Sequence, residues 1–308
     1  MTQLYQVSGF DLPQIPKSDK LCHILSSSLS CKSLDSEIHA KYLGRFWNPE
    51  YFGLHKVKLF QNATQTQQWE IIELVNFGLL QESYFIEKAG VGYMAKMALL
   101  AETTQERMIY ALFSADEVYH LAQIMRFLPQ QQPMKADDTF LRFLANLVET
   151  QDKTVLLFVL QVVLEGWGLS HYRSLAKGCQ DAELSQVLTS FLQDESRHHA
   201  TGVTLFKKIS VSPLSHRVIV ETLSLFLQMI QVGPQRVVAA IERVLGHLSR
   251  QQKIRLFEEL DTENHSEKRL VTLRFLMGGE GAETIVQELE ERGGFQSFSA
   301  SQCARTIL

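Results

Sequence analysis

The sequence predicts an all-α protein on three observations. Only 7 of its 308 residues are proline, and they stand in a few places separated by long proline-free stretches, which favour long helices because proline interrupts them. Alternation of apolar and polar residues, the pattern of a strand with one buried face, is nearly absent. One arrangement of acidic residues and histidine also occurs twice, at spacings that suit helices.

Two long helices are expected in the first half of the chain. Residues 1–33 have an irregular pattern, and a short helix is expected over 35–44. The next helix is expected to begin near Thr64 and to continue to about residue 101. Thr103 and Thr104 are residue types that begin helices, so they open a second long helix that ends near residue 127.

Further helices are expected in the second half. A turn-rich segment at 129–133 separates them from the first two, and helical periodicity resumes near residue 138. A helix over about 154–177 is expected to stop at Gly178. Asp181 can cap the next helix, which continues to about residue 208. About four shorter helices are expected from Pro213 onwards, with breaks at 233–234, 249 and 278–279.

The repeated arrangement is a lone glutamate followed 30 residues later by Glu-x-x-His. The first copy comprises Glu87, Glu117 and His120, and the second, displaced by 78 residues at every position, comprises Glu165, Glu195 and His198. Glutamate and histidine three positions apart share one face of a helix, so both can bind one metal. Thirty residues suffice for about four helical turns out, a tight connection and about four turns back, which predicts two antiparallel helix pairs.

Metal ions would explain how four carboxylates share one core. The helical faces that carry the glutamates are otherwise largely apolar, and an unpaired buried carboxylate costs several kcal/mol. Two divalent cations would neutralise the four carboxylates. Aromatic and aliphatic residues on the same faces are expected to exclude water and to form a substrate pocket: Tyr84, Tyr110, Phe158, Val162, Leu169, Tyr172, Phe191 and Leu192.

Two acids and one extra histidine stand beside the ligands. Asp116 and Asp194 come directly before the glutamate of Glu-x-x-His in each copy. Such an acid can accept the free N–H of a ligand histidine and fix its tautomer, and an ordinary surface position is the alternative. The spacing from Glu195 to His199 also suits a shared face, so His199 could take the place of His198.

Gly166 and Gly168 flank Trp167 in the middle of the expected helix over 154–177. At such a position each glycine costs about 1 kcal/mol relative to alanine. The cost indicates either the close approach of a neighbouring helix or a channel, and the sequence leaves both open.

On its six ligand residues and two aspartates, the chain resembles the ferritin-like superfamily of di-iron carboxylate proteins over roughly residues 64–210. The resemblance implies a four-helix bundle. Residues 1–63 are then an N-terminal extension packed on the bundle and 211–308 a C-terminal helical extension, together forming one compact domain. It also implies two bound iron ions, with manganese as the alternative at one or both positions.

Departures from the patterns of particular relatives narrow the resemblance. Ile124 stands where the small subunit of ribonucleotide reductase has a radical tyrosine, and Phe191 stands where arylamine N-oxygenases add a histidine. The four cysteines form no C-x-x-C pair, in contrast to rubrerythrins. The ligand pattern is closer to those of soluble acyl-carrier desaturases and aldehyde-deformylating oxygenases.

The resemblance implies an O2-activating oxygenase or oxidase that acts on a small or carrier-bound apolar organic substrate. Its electrons would come from a separate ferredoxin or reductase, because the chain has no glycine-rich dinucleotide motif and no cysteines spaced for an iron–sulfur cluster. A ferroxidase or metal-binding protein without an organic substrate is the alternative. A bundle that binds a ligand without turnover is a third hypothesis, and a homodimer is left open.

Composition, charge and residue pattern disfavour nucleic-acid-binding, membrane-bound and secreted classes of protein. A net charge of −4, a pI near 6.2 and the lack of clustered Lys and Arg disfavour a nucleic-acid partner. The longest apolar run, 155–164, is too short to span a bilayer, so no membrane association is expected. The N-terminal residues lack the pattern of a signal peptide, and the scattered cysteines indicate no disulfide framework. A cytoplasmic location is therefore expected.

Overall fold

A computed structural model describes residues 7–12, 16, 18–21, 24–25, 45–129 and 138–305. Across these ranges the protein is all-α, with twelve helices and no strand, and a single isolated bridge joins Trp47 to Cys179. The predicted all-α class is confirmed for these residues. The helix expected over 35–44 lies outside the described residues, as does most of the segment 1–33.

The helices follow one another with short connections, and a 3-10 turn at Leu54–Lys56 precedes the first of them. Their bounds are α1 Lys58–Gln61, α2 Gln65–Leu99, α3 Thr104–Met125, α4 Thr139–Glu149, α5 Lys153–Gly178, α6 Ala182–Phe206, α7 Pro213–Gln231, α8 Gln235–Leu245, α9 Arg250–Glu259, α10 Thr262–Met277, α11 Glu283–Glu291 and α12 Ala300–Cys303.

Polar caps explain where the long helices begin. The side chain of Thr64 accepts a hydrogen bond from the backbone N–H of Gln67 and completes a capping box at the start of α2. The side chain of Thr103 accepts from the backbone N–H of Glu106 and caps α3. Asp181 accepts from the N–H of Leu184 and caps α6. The predicted starts of these three helices are confirmed to within two residues.

Four long helices form two antiparallel pairs. α2 and α3 pack along each other and are joined by only 100–103, and α5 and α6 pack along each other and are joined by 179–181. Helices that pack together across so short a connection must be antiparallel. α3 also contacts α6, and α4 lies in the connection between the pairs and packs on α2.

Part of α5 is wound as a π-helix. The segment Leu156–Leu164 has π-helical hydrogen bonding over 9 residues, and eight of these residues are buried. Ordinary α-helix resumes at Glu165. A π-helical turn is wider than an α-helical one and shifts the angular position of the residues that follow it. This segment therefore sets the direction in which the carboxylate of Glu165, the next residue, projects.

The C-terminal helices complete the core on the flank of α5. One apolar cluster contains buried residues from α2, α4, α5, α7, α10 and α11, and a second joins the chain around Leu54 to α8, α9 and Cys303. The tail has more helices than the four expected. An additional break occurs at Asp261, between α9 and α10, where a φ of 52° interrupts the helical geometry. The short α12 follows Ser299.

α5 is the one helix among the described residues that is long and apolar enough to cross a membrane by length and composition alone. Of its most apolar stretch, 56% is buried inside the protein. Extensive burial against other helices fits the core helix of a soluble protein.

Candidate metal centre

The structure brings the six residues of the repeated arrangement together between α2, α3, α5 and α6. Their carboxylate oxygens and ring nitrogens form two groups, and within each group the atoms lie within 4.8 Å of one another. Glu117 and Glu195 belong to both groups. The first ligand group is Glu87, Glu117, His120 and Glu195, and the second ligand group is Glu117, Glu165, Glu195 and His198.

Both histidines present Nδ1 to the carboxylates. Nδ1 of His120 lies 3.2 Å from Oε2 of Glu87 and 3.6 Å from Oε1 of Glu195. Nδ1 of His198 lies 3.2 Å from Oε1 of Glu117 and 3.6 Å from Oε2 of Glu195. The duplication in the sequence is therefore matched by two similar histidine environments in the structure.

The two aspartates contact the histidines crosswise. Oδ2 of Asp194 lies 3.1 Å from Nε2 of His120, at hydrogen-bond distance. Oδ2 of Asp116 lies 3.6 Å from Nε2 of His198, which is longer than a hydrogen bond. Each aspartate thus faces the histidine of the other copy. Arg197 pairs with Asp194 and lies 3.9 Å from Asp116, at the outer edge of the site.

Burial makes this cluster electrostatically unfavourable on its own. Glu87 and Glu195 are only 1% and 4% exposed. Burial, with the nearby Glu117 adding to it, raises the pKa of Glu87 well above its usual range. Burial and then repulsion from Glu165 raise the pKa of Glu195 to about 8. No Lys or Arg of the described residues forms an ion pair with any of the four glutamates.

The two histidines differ in their hydrogen bonds. Burial alone would lower the pKa of His120, but its hydrogen bonds with Asp194 and Glu87 outweigh burial and raise it well above the usual value. The ring of His198 is fully buried, and neither of its nitrogens has a hydrogen-bond partner among the described residues. Buried carboxylates without a Lys or Arg partner, beside an imidazole whose nitrogens are unsatisfied, are a donor set that metal ions would complete.

Two glycines allow the ligands to approach. A Cβ atom at Gly90 would lie 2.3 Å from Oε2 of Glu117, so only glycine leaves room for that carboxylate. A Cβ atom at Gly202 would lie 2.7 Å from Cγ of Gln161, where α5 and α6 approach closely. Both positions serve the assembly of the site, and neither was singled out by the sequence pattern.

His199 belongs to neither ligand group. Its ring lies against the backbone of α5, where a Cβ atom at Gly166 would be 2.9 Å from two of the ring atoms. The alternative in which His199 takes the place of His198 is therefore not the arrangement in the structure. Gly166 is explained by the close approach of His199.

A cavity of about 100 Å³ adjoins the ligand groups. It lies between α2, α4 and α5, and the glutamates Glu87, Glu117, Glu165 and Glu195 line it. Its other walls are mainly apolar and consist of Ile86, Ala89, Gly90, Tyr93, Phe140, Leu144, Val148, Leu160, Leu164, Trp167, Gly168 and Tyr172, with Glu82 and His171 as further polar residues.

Of the eight residues expected to form a substrate pocket, only Tyr172 lines this cavity. The others lie on ligand-bearing helices, and all of them except Leu169 pack in apolar clusters with neighbouring helices. Phe191 stacks on the ring of His120, and Phe158 stacks on Phe206. Tyr84, Tyr110, Val162, Leu169 and Leu192 do not line it either. A helical face shows which residues point inward but not whether a neighbouring side chain or a cavity meets them.

A buried hydrogen-bond network connects the second ligand group to α2 and α3. The hydroxyls of Tyr93 and Tyr110 both donate to Oε1 of Gln161, at 3.2 and 2.7 Å. Nε2 of Gln161 donates to the backbone oxygen of His198 at 2.9 Å. Independently, the hydroxyl of Tyr172 donates to Oε1 of Glu87. The sequence did not single out Tyr93, because its spacing of six residues from Glu87 is not one that places two side chains together on a helix.

No family model, curated protein or solved structure matches this chain significantly. The class of site is therefore defined by geometry alone. It is a buried cluster of glutamates and histidines in an all-α protein, arranged so that it could hold metal.

Proposed function

We propose that the protein is a ferritin-like, O2-activating di-iron oxygenase or oxidase that acts on a small or carrier-bound apolar organic substrate. The observation that carries this proposal is the largely apolar cavity that ends at glutamates of both ligand groups. A substrate in that cavity would lie against the metals and away from bulk water. An enzyme that oxidises an apolar molecule requires both conditions.

The ligand roles follow from membership of the two groups. Glu117 and Glu195 would bridge two metals because both groups contain them. Glu87 and His120 would bind one metal only, and Glu165 and His198 the other. Mixed carboxylate and imidazole ligands suit iron, with manganese as the alternative. When bound, the metals would supply the redox chemistry that activates O2.

Side chains of the protein would orient the ligands and exclude water. The hydrogen bond between Asp194 and Nε2 of His120 would hold the proton on that nitrogen, so that Nδ1 could exchange its contact with Glu87 for a metal. The hydroxyl of Tyr172 fixes one oxygen of Glu87. Leu144, Leu160 and neighbouring apolar walls would keep water from the reacting atoms. Electrons would arrive from a separate ferredoxin or reductase.

The cavity also bears on the ferroxidase alternative. A ferroxidase needs an acidic route along which iron ions reach the site. Apart from the ligands, Glu82 is the only acid of the described residues that lines the cavity, and it pairs with Arg236. Arg236 also lies 2.8 Å from Asp138 at the start of α4. The acid is thus neutralised by a fixed cation, which favours an organic substrate over free iron.

Metal content and the reaction with O2 test this proposal. Protein produced with iron should contain about two metals per chain, and the reduced form should develop new visible absorption when it meets O2. Glu117→Ala should lose the metals while its circular dichroism stays helical. Glu221→Ala, at an exposed position on α7, is the control that should retain them.

Other outcomes would contradict the proposal. Wild-type protein without metal after growth and reconstitution with iron would remove its basis. Accumulation of many ferric ions per chain, without consumption of any apolar compound, would favour the ferroxidase instead.

A further inference from the structure

Gly168 marks a place where α5 leaves space for another molecule. The glycine stands in the middle of a helix, where it is unfavourable relative to alanine. A Cβ atom at Gly168 would meet nothing within 4 Å, whereas one at the nearby Gly166 would meet both His199 and Leu276. Gly166 is therefore explained by packing and Gly168 is not. Because Gly168 lines the cavity, a side chain added there would project into empty space in front of the ligand groups.

His171 follows Gly168 by one helical turn and lines the same cavity. Its Nε2 atom is buried and has no hydrogen-bond partner in the part of the chain that the structure describes. The nearest acid is Glu82, whose Oε1 lies 3.9 Å from this nitrogen, beyond hydrogen-bond distance. Burial lowers the pKa of His171, so the imidazole is neutral at physiological pH. It can offer one hydrogen bond to a molecule in the cavity.

The charges around the cavity select against ions. No Lys or Arg among the described residues lines it, so no side chain there would pair with an anion, which could only compete with the glutamates for the bound metals. A cation would find Glu82 already paired with Arg236, and the remaining acids would hold the metals. A charged group in this space would lose its hydration without gaining a charged side chain as partner, which is costly.

We propose that the substrate is an uncharged molecule that enters between α2, α4 and α5. Its apolar end passes Gly168 towards the ligand groups, and its hydrogen-bonding group stays at His171. The inference rests on the proposed function and adds the charge and orientation of the substrate. Gly168 is then a residue that determines specificity, and His171 is a positioning residue.

Binding of three probes with equal chain length tests the charge preference. Metal-loaded, full-length protein is titrated with pentan-1-ol, pentanoate and pentylammonium and followed by ligand-observed NMR. Pentan-1-ol should bind at least about tenfold more tightly than either ion, because each ion must be desolvated without a free side chain of opposite charge to pair with. Equal or tighter binding of either ion would overturn the proposal.

A matched pair of variants on α5 tests the entrance. Gly168→Leu should fill the cavity and weaken binding of pentan-1-ol by at least about tenfold. Ser170→Leu adds the same side chain two residues away at an exposed position and should leave binding unchanged. Both variants should keep the wild-type metal content and circular dichroism. Unchanged binding by a folded Gly168→Leu protein would show that the probe does not pass this residue.

The role of His171 is tested by a ratio of affinities. Wild-type protein should prefer pentan-1-ol over 1-chloropentane, and His171→Leu should reduce that preference by about 3- to 10-fold, the usual effect of one hydrogen bond. A purely structural role would weaken both probes equally and leave the ratio unchanged, which would remove His171 from the proposal.

These measurements separate the two proposals. Retained metal with lost charge preference would overturn the substrate inference and leave the di-iron function intact. Absence of metal in the wild-type protein would contradict the function itself, whatever the probes do.

Discussion

Glu117 and Glu195 each belong to both ligand groups, whereas Glu87 and Glu165 each belong to one. Under the proposed function, the loss of a shared carboxylate would therefore remove a ligand from two metals, and the loss of an unshared one would remove a ligand from a single metal. Charge does not distinguish the four glutamates, and burial separates only Glu165, which is less buried than the other three.

The first prediction concerns metal stoichiometry. Glu195→Ala should reduce the metal content from about two ions per chain to nearly none, and Glu87→Ala should leave about one. Mass spectrometry of metals in purified, folded protein measures both values. Identical losses in the two variants would show that the carboxylates are not divided into shared and unshared ligands.

The second prediction compares two glycines of α2. Gly90→Ala should destabilise the protein by about 1–3 kcal/mol because its Cβ would collide with Oε2 of Glu117. A Cβ at Gly78 would meet nothing within 4 Å, so Gly78→Ala should stabilise the protein by up to about 1 kcal/mol. Urea denaturation gives both free energies of unfolding. A stabilising Gly90→Ala would contradict the described position of Glu117.

At the residue scale, the repeated spacing was sufficient to find the residues that the structure brings into the two ligand groups. It could not find Gln161 or Tyr93, which act through hydrogen bonds across helices. Such contacts depend on the rotation of one helix against another. No spacing along a single helix contains that information.

At the scale of the elements, helix starts were predictable and helix winding was not. Thr64, Thr103 and Asp181 have side chains that accept backbone hydrogen bonds at helix starts, and each of them caps a helix. The apolar segment Leu156–Leu164 is equally compatible with α-helical and π-helical winding, because nearly all its side chains are buried on every side. Its winding depends on tertiary packing.

The third prediction concerns the contact between α5 and α6. Gly202→Ala should destabilise the protein by about 1–3 kcal/mol, because the added Cβ would lie 2.7 Å from the side chain and 3.0 Å from the backbone of Gln161. Alanine would otherwise favour the helix. Thermal and urea unfolding measure the change. An increase in stability would show that the two helices do not approach this closely.

At the scale of the whole molecule, the number of C-terminal helices was underestimated. The break at Asp261 requires a left-handed backbone conformation at a residue other than glycine. No pattern in the local sequence predicts that conformation. The covering of α5 by α7 and α10 could not be predicted either. Helical periodicity identifies an apolar face without naming the helix that will cover it.

The fourth prediction concerns the stability of the metal-free protein against pH. The pKa of Glu195 is raised from 4.5 to about 8, and that of His120 is raised above 6.5. The folded state therefore binds more protons than the unfolded state over this range, so stability must fall as pH rises. The melting temperature should be highest near pH 5 and several degrees lower near pH 8.

The metal-loaded protein provides the comparison. Metal binding displaces protons from its ligands and becomes stronger as pH rises, so the decrease in melting temperature should be smaller or reversed when metal is present. Scanning calorimetry of both forms between these pH values measures the difference. A metal-free protein that gains stability with rising pH would contradict the described burial of the carboxylates.

The crosswise contacts of Asp116 and Asp194 have a consequence for how such a site can arise. The half of the protein around α2 and α3 contains Glu87, Glu117 and His120, but the acid that holds His120 belongs to α6 in the other half. Each half supplies the acid that contacts the histidine of the other half, as each subunit of a symmetric dimer supplies a contact to its partner. Neither half could therefore complete its own histidine contacts if the two were separated.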